Sequence, residues 1–325
     1  MSAIVSRYQQ WIEKEIRKQK YGKEPESLYE PIRYLMGIGG KRLRPVLTLL
    51  GYSIFKDDVK SIVPYAIAVE AFHNFTLMHD DIMDKAPLRR GHATVHEKWN
   101  VNTAILSGDV MLINVYDMLL SVESGKLKRI LKAFNTCAAE VCEGQQWDME
   151  FEKEKTVTES QYLNMVRLKT AVLLGFSLEL GAILADAPES ECVTLRKFGT
   201  SMGIGFQLKD DFLDAYADPE KFGKQIGGDI IANKKTFLLI KALDIAKGRQ
   251  KNTLNEWLSI KKFKKREKVE AIRAIFDALN IPALTEKKVS QYFRKSFENL
   301  NALSCPEDRK INLREFAEGL IARQS

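Results

Sequence analysis

Two stretches, EAFHNFTLMHDDIMD at 70–84 and GIGFQLKDDFLD at 203–214, repeat a spacing that a helix turns into a single stripe. At about 100° per residue, His73, Leu77, Asp80 and Asp84 stand at offsets 0, 4, 7 and 11 and fall within roughly 60° of one another. Gly203, Gln207, Asp210 and Asp214 repeat those offsets. In each stripe a further aspartate, Asp81 or Asp211, lies about 100° to the side. Carboxylates one turn apart repel unless something neutralises them. One such stripe could be a solvated acidic face with Lys85, Arg89 and Arg90 as counter-charges. Two in one chain suggest two walls of one site, where Asp80 and Asp84 grip a cation and Asp81 supports them from the side.

The pattern around these stripes is helical. Apolar positions at Ile4, Val5, Tyr8, Trp11, Ile12 and Ile16 predict a helix over 3–21, closed by Gly22 and Pro25. Further helices are predicted over 46–55, 61–84, 101–120, 126–151 and 159–185. Lys169, followed by Thr170, falls on the apolar stripe of the last of these, where a lysine either snorkels out or meets a buried anion. Residues 237–325 are again helical in pattern, interrupted near Pro282 and Pro306, and serve as structural support. No strand alternation, tandem repeat or composition shift intervenes. The expectation is an all-α fold with one domain over 1–325, which at 45% apolar and 29% charged residues has the composition of a soluble globular protein.

Several function classes fall away. The apolar run AVLLGFSLELGAILA at 171–185 is short and is interrupted by Ser177 and Glu179, so it predicts a buried helix and no membrane span. The first twenty residues hold no apolar signal run, which makes cytoplasmic the expected location. Cys137, Cys142, Cys192 and Cys305 lack metal or disulfide spacing and are expected as reduced core residues. The net charge of +7 favours anionic partners. The run KKFKKREK at 261–268 has only Phe263 among its charges, so it predicts a solvated loop or helix face and no nucleic-acid partner.

Cations cluster near the acidic stripes. GIGGKRLRP at 37–45 joins glycines that allow close backbone approach to Lys41, Arg42 and Arg44, which could surround a phosphate. Pro45 can open the following helix. Arg89 and Arg90 lie just beyond Asp84, close enough to flank a metal-bound anion. His73 and His79 with Asp80 also admit a metal-ligand reading of the phosphohydrolase kind, which leaves the second stripe and the basic turn unexplained. The loop DPEKFGKQIGGDIIANKKT at 218–236 carries Lys221, Lys224, Lys234 and Lys235 and suits a basic lid over phosphates.

With GGKRLRP, DDIMD, LRRG, LKT, GFQLKDDFLD and the GK-containing loop in this order, the chain resembles the trans-isoprenyl diphosphate synthases, or polyprenyl synthetases, over roughly residues 20–240 and through the rest. The resemblance implies a bundle of antiparallel helices around a deep central cavity, with the acidic motifs facing each other, usually in a homodimer. It implies three magnesium ions per site, with Asp80 and Asp84 as ligands of two and Asp210 as ligand of the third, helped by Asp81, Asp211 and Asp214. Arg89, Lys169, Lys224 and Lys234 match positions that hold the allylic diphosphate, and Thr170 and Gln207 match those lining the place where the allylic cation forms. Lys41, Arg44, His73 and Arg90 match the isopentenyl diphosphate site. The implied reaction is ionisation, condensation and loss of a proton, with no side-chain nucleophile.

Product length in that family follows the depth of the apolar cavity below the first acidic motif. Phe75, five residues before Asp80, is bulky as in short-chain enzymes, and HNFTLMHDDIMD is similar to synthases that stop at geranylgeranyl diphosphate. A product of fifteen to twenty carbons, farnesyl or geranylgeranyl diphosphate, is expected, with twenty favoured. An ideal wheel sets Thr76 about 40° from Asp80 and Phe75 about 140° away, so both belong to the chain-length question. Two rivals share parts of the pattern. A class I terpene cyclase also uses DDxxD, but has no need of Lys41, Arg44 and Arg90. A non-catalytic partner subunit of a heteromeric synthase typically lacks one acidic motif, and both are intact here.

Overall fold

Apolar residues at helical spacing govern the chain, and a computed structural model, which describes residues 2–217 and 227–322, is accordingly helical almost throughout. Helices α1 (Ala3–Ile16), α2 (Glu26–Gly37), α3 (Leu43–Ser53) and α4 (Val63–Met83) lead to a ribbon of β1 (Leu88–Arg89) and β2 (His92–Ala93). Then come α5 (Val95–Lys98), α6 (Val101–Leu120), α7 (Ser124–Lys153), α8 (Glu159–Val166), a π-helical turn at Arg167–Ala171, α9 (Val172–Leu184) and α10 (Glu189–Tyr216). Beyond residues 218–226 follow α11 (Gly228–Ile231), α12 (Phe237–Ile245), α13 (Gly248–Ser259), α14 (Lys265–Ala278), α15 (Ile281–Asn301) and α16 (Glu307–Ile321). Among the described residues the ribbon is the only paired strand, so the all-α expectation holds.

Two compact units share these helices. One holds the residues up to Cys137 with Leu174–Arg196 and Ala302–Phe316. The other holds Ala138–Leu173, Lys197–Asn301 and the residues from Ala317 on. In the first, α4 buries every residue from Ala66 to Phe72, so this stretch is enclosed all round, as a helix apolar on every side must be. The Phe72 ring meets Phe75 at 5.7 Å and Phe134 at 5.1 Å, and Phe134 continues to Phe176 at 5.8 Å, tilted and edge-to-face pairs that tie α4 to α7 and α9. In the second, Ile230, Leu238, Leu254, Ile272, Phe276 and Ile281 form one core from α11 to α15. Through Ile230 this core also holds the start of the segment 227–236.

The departures have physical causes. Helix α1 stops at Ile16 and not at residue 21, because Arg17–Lys20 offers no apolar side to bury; the chain closes in a tight turn from Lys18 N to Glu15 O, and Tyr21 turns inward. The helix expected over 159–185 runs on from Glu159 to Leu184 but carries a π turn inside it, a one-residue excess that periodicity cannot register. Cys142 is exposed, against the expectation of four core cysteines; Cys137 and Cys192 are buried. The run 261–268 is a solvated face only in part: Arg266 is exposed and pairs with Glu270 one turn on, whereas Lys268 is fully buried. The apolar run of α9 is buried, as expected. Among the described residues one helix, α6, is long and apolar enough to cross a membrane by length and composition, and 33% of it is buried in the chain.

Candidate active site

The first acidic motif closes α4. Asp84 caps the helix and donates its backbone N–H to Asp80 O at 2.9 Å. Asp80 and Asp84 thus share the last turn, half-buried and exposed respectively, while Asp81 faces inward and is buried. Arg89 donates Nε to Asp81 Oδ1 at 3.0 Å, bonds the same oxygen through Nη2, and sets Nη2 3.8 Å from Asp80 Oδ2. Burial raises the pKa of Asp81 although Arg89 opposes the shift. For Arg89, burial disfavours the charge, but the facing carboxylates outweigh it and its pKa rises. The pair is an inward brace, and Asp80 and Asp84 form the outer edge.

A hairpin turn sends two adjacent arginines in different directions. Arg90 and Gly91 both take positive φ, 53° and 79°, the turn that suits a twisted two-stranded ribbon. Arg89 therefore reaches the acidic motif, while Arg90 Nη1 donates to Gly39 O in the basic turn. Gly40 has φ 148°, and the Arg90 guanidinium fills the space where a Cβ would stand. The close approach expected of these glycines is thus made by a side chain.

The basic turn sorts its cations by backbone geometry. Arg42 was expected to surround a phosphate along with Lys41 and Arg44, and the structure corrects this. At φ 49° its side chain turns into the core, where Nε meets Glu13 at 2.7 Å, Nη1 meets Glu70 at 2.7 Å and Nη2 meets Met36 O at 2.8 Å. Arg42 is a brace among helices. Lys41 stays exposed. Arg44 Nη1 bonds His73 Nε2 at 3.1 Å, and its buried Nε makes no hydrogen bond. Burial and the cations Arg44, Arg90, Arg89 and Arg42 push the His73 pKa well below its usual 6.5. His73 is therefore neutral and, since a guanidinium only donates, accepts at Nε2 and carries its proton on Nδ1. Burial lowers Arg44 to about 10, still a full cation near neutrality. An orphan donor on a buried cation is the counterpart that an anion such as a diphosphate needs.

In the other unit the π turn carries the predicted Lys169 and Thr170. Two helices close on it where they lack side chains: a Cβ on Gly144 of α7 would lie 2.2 Å from Lys169 N, and one on Gly203 of α10 would lie 2.7 Å from Ala171 Cα. Asp148, one turn beyond Gly144, receives Lys169 Nζ at 2.6 Å, with Lys234 Nζ 3.9 Å away. Burial works against its charge, but Lys234 and Lys169 prevail and lower its pKa. Lys169 thus meets a buried anion. Thr170 Oγ1 donates to Gln207 Oε1 at 3.3 Å, and Gln207 Nε2 donates to Asp211 Oδ1 at 2.9 Å. Tyr162 OH donates to the other Asp211 oxygen, and Asp229 N donates to Asp214 Oδ2 at 2.9 Å.

These carboxylates resist being charged together. Burial and the neighbouring Asp229 raise Asp211 to about 7, against Tyr162, Lys234 and Gln207. Burial raises Asp229 to about 6, with Lys234 opposing and Asp214 and Asp148 adding to it. Asp210 stands partly exposed beside them. Hard oxygen donors in this number fit magnesium. Among the described residues no three His, Cys, Asp or Glu side chains form a closed metal cage; magnesium that shares phosphate oxygens takes only one or two carboxylates from the protein.

Asp80, Asp81, Asp84 and Arg89 come together, as do Arg44, His73 and Arg90 beside Lys41; Lys169, Thr170, Gln207, Asp210 and Lys234 lie in the second unit. Lys221 and Lys224 lie outside the described residues. Phe75 stacks its edge on His79 at 4.8 Å, while Thr76 Oγ1 donates to His73 O at 2.8 Å. His79 Nε2 bonds Ile105 O at 3.2 Å, so the histidines are committed elsewhere and the metal-ligand reading of them falls. Sequence reasoning missed Asp148, Tyr162 and Asp229. A lysine on an apolar stripe calls for an acid, and Asp148, one turn after Gly144, is the signal that answers it; a tyrosine within an apolar stripe gives no such signal.

A family model described as polyprenyl synthetase matches residues 25–276. Geranylgeranyl diphosphate synthase from Methanosarcina mazei is 39% identical over 92% of this chain and 91% of its own. Geranylgeranyl pyrophosphate synthase from Geoglobus acetivorans is 37% identical over 99% of both. A crystal structure of a geranylgeranyl pyrophosphate synthase superposes with a TM-score of 0.94, at 41% identity and covering 100% of each chain.

Proposed function

The chain belongs to the polyprenyl synthetase family, and from that premise we propose that it is a short-chain trans-prenyl diphosphate synthase whose product is geranylgeranyl diphosphate. Members of the family bind isopentenyl and allylic diphosphates and use divalent metal ions with them. The observation that carries the reading is the hairpin: adjacent arginines serve two anion-seeking clusters, Arg89 at the acidic motif and Arg90 at the basic turn. An enzyme that joins two diphosphates needs both; a class I cyclase, which takes one, does not need the second.

Asp80, Asp84 and Asp210 would hold magnesium, three ions in all, and magnesium when bound draws off negative charge developing on the diphosphate. Arg89, Lys169, Lys224 and Lys234 match the positions at which the family holds the allylic diphosphate, and such cations would take up the charge left as its C–O bond breaks and the electron pair leaves with the diphosphate. Gln207 is locked by Asp211 so that its carbonyl oxygen lies beside the Thr170 hydroxyl, an oxygen-rich lining suited to an allylic cation. Arg44, Arg90, Lys41 and the neutral His73 orient isopentenyl diphosphate, whose double bond attacks the cation. A proton is then lost from the new bond region to the departing diphosphate.

Phe75 and Thr76 form the floor that limits the product, a reading supported by their place one turn below the acidic motif on α4. The chain acts as a homodimer, supported by the apolar outer side of α6. Free cysteines suit a cytoplasmic setting. The test is product chromatography with magnesium, isopentenyl diphosphate and dimethylallyl, geranyl or farnesyl diphosphate. Elongation stopping at geranylgeranyl diphosphate is the expected result. A long ladder would discard the floor, an unconsumed isopentenyl diphosphate with a cyclised hydrocarbon would favour the cyclase, and activity only with a second protein would favour the partner subunit.

A further inference from the structure

The basic run 261–268 ends in a residue that does not behave as surface charge. Lys268, in the first turn of α14, is fully buried. Its Nζ donates to Asn233 Oδ1 at 2.6 Å and to Ile231 O at 3.2 Å, and it lies 4.2 Å from the Phe263 ring centre. Both acceptors are neutral, and burial lowers the lysine's pKa. Its neighbours Val269 and Ile272 belong to the apolar core, where a further apolar side chain would cost less to bury. A buried cation on neutral oxygens calls for a reason beyond packing.

That reason lies in what Asn233 carries. Asn233 has φ 57° and donates Nδ2 to Leu258 O at 3.0 Å, so one side chain joins the end of α11 to α13 and, through Lys268, to α14. The next residue is Lys234, whose backbone N donates to Asp229 O at 2.9 Å and whose Nζ lies 3.9 Å from Asp148. Thr236 N closes the segment onto Lys234 O at 2.8 Å. We infer that Lys268 is a positioning residue: through Asn233 it fixes the backbone from which Lys234 and Asp229 reach the diphosphate site. The inference rests on the proposed role of Lys234 in holding the allylic diphosphate. It gives the helices after the second acidic motif a part in substrate binding, which no family motif in this chain includes.

Steady-state kinetics of the full chain, varying each substrate in turn, tests it. Lys268→Met keeps the length and removes the donor. Asn233→Gly keeps the left-handed backbone and cuts the same link from the other end, which covers a Met variant that folds poorly. Each is expected to raise the KM for the allylic diphosphate roughly tenfold, the size usual for lost support of a binding group, with the KM for isopentenyl diphosphate unchanged. Neither should add to the effect of Lys234→Ala when combined with it. Equal rises in both KM values, or a fall in kcat alone, would mean a packing role and overturn the inference. If Lys234→Ala raises the allylic KM and neither clamp variant does, the clamp falls and the role of Lys234 stands. If Lys234→Ala itself leaves that KM unchanged, both fall.

Discussion

Arg42 and Arg44 are two residues apart in one basic turn, yet one is spent inside the protein and the other is held in reserve. The left-handed backbone at Arg42 points it at Glu13 and Glu70, and a string of letters does not carry that φ. Arg44 faces a neutral histidine, which takes one hydrogen bond and no charge. Removing it should therefore cost substrate binding more than folding. Arg44→Ala is predicted to raise the KM for isopentenyl diphosphate by roughly ten- to a hundredfold, the range of a hydrogen bond to a charged group, while the allylic KM stays put. Initial rates with each substrate varied check the asymmetry. His73 makes a separate prediction. Its folded pKa lies well below the 6.5 of the unfolded chain, so under that pH the unfolded state binds a proton that the folded state refuses. Stability is full above pH 6.5 and falls with acid, by up to about 1.4 kcal/mol per unit until the folded pKa is reached. Thermal unfolding of the wild type and His73→Gln between about pH 7.5 and 5.5 should show the wild type losing ground; parallel curves would mean that His73 is not held neutral.

At the scale of elements, the π turn at Arg167–Ala171 organises the second cluster, because its extra residue presents Lys169 to Asp148 and Thr170 to Gln207. Gly144 and Gly203 let α7 and α10 come against it. Gly144→Ala would press a methyl onto the Lys169 backbone, and such overpacking is expected to cost about 1–3 kcal/mol in denaturant unfolding and to lower kcat as Lys169 leaves Asp148. Unchanged kcat in a destabilised variant would separate the turn's packing from its chemistry. This element also marks the limit of what a sequence tells. Apolar spacing gave α4, α6 and α7 nearly to their ends, since the burial of apolar side chains at helical spacing decides them. It could not register one inserted residue inside a helix that continues on both sides, nor the turn at Arg90 and Gly91, whose strands are two residues long. Both acidic stripes were legible because carboxylates at offsets 7, 8 and 11 need explaining on any helix. Asp148 and Asp229 were not, because their roles depend on helices brought together from distant parts of the chain.

The chain as a whole poses a question through α6. Its exposed Val101, Ile105, Leu106, Ile113 and Leu120 fall in an arc of about 140° on the wheel, and Leu106, Ile113 and Leu120 are each more than half exposed. An apolar helix side of this extent marks a partner or a membrane. Asp109 stands in the same arc with its side chain 57% exposed, and an aspartate near the centre of a bilayer-spanning helix costs roughly 2.5–3.5 kcal/mol. A protein partner meets that charge at less cost, because it can set a polar group or a trapped water against Asp109 while the leucines and isoleucines pack around it. A second copy of α6 supplies a matching apolar side through two-fold symmetry, which needs no other protein. Sedimentation equilibrium is predicted to give a dimer for the wild type, and Leu106→Glu with Ile113→Glu should shift it to monomer with its helical circular dichroism retained. Flotation with anionic vesicles should leave the wild type in the buffer. A monomeric wild type that floats with lipid would reverse the assignment, since the outer side of α6 would then be serving the membrane and the proposed homodimer would lose its interface.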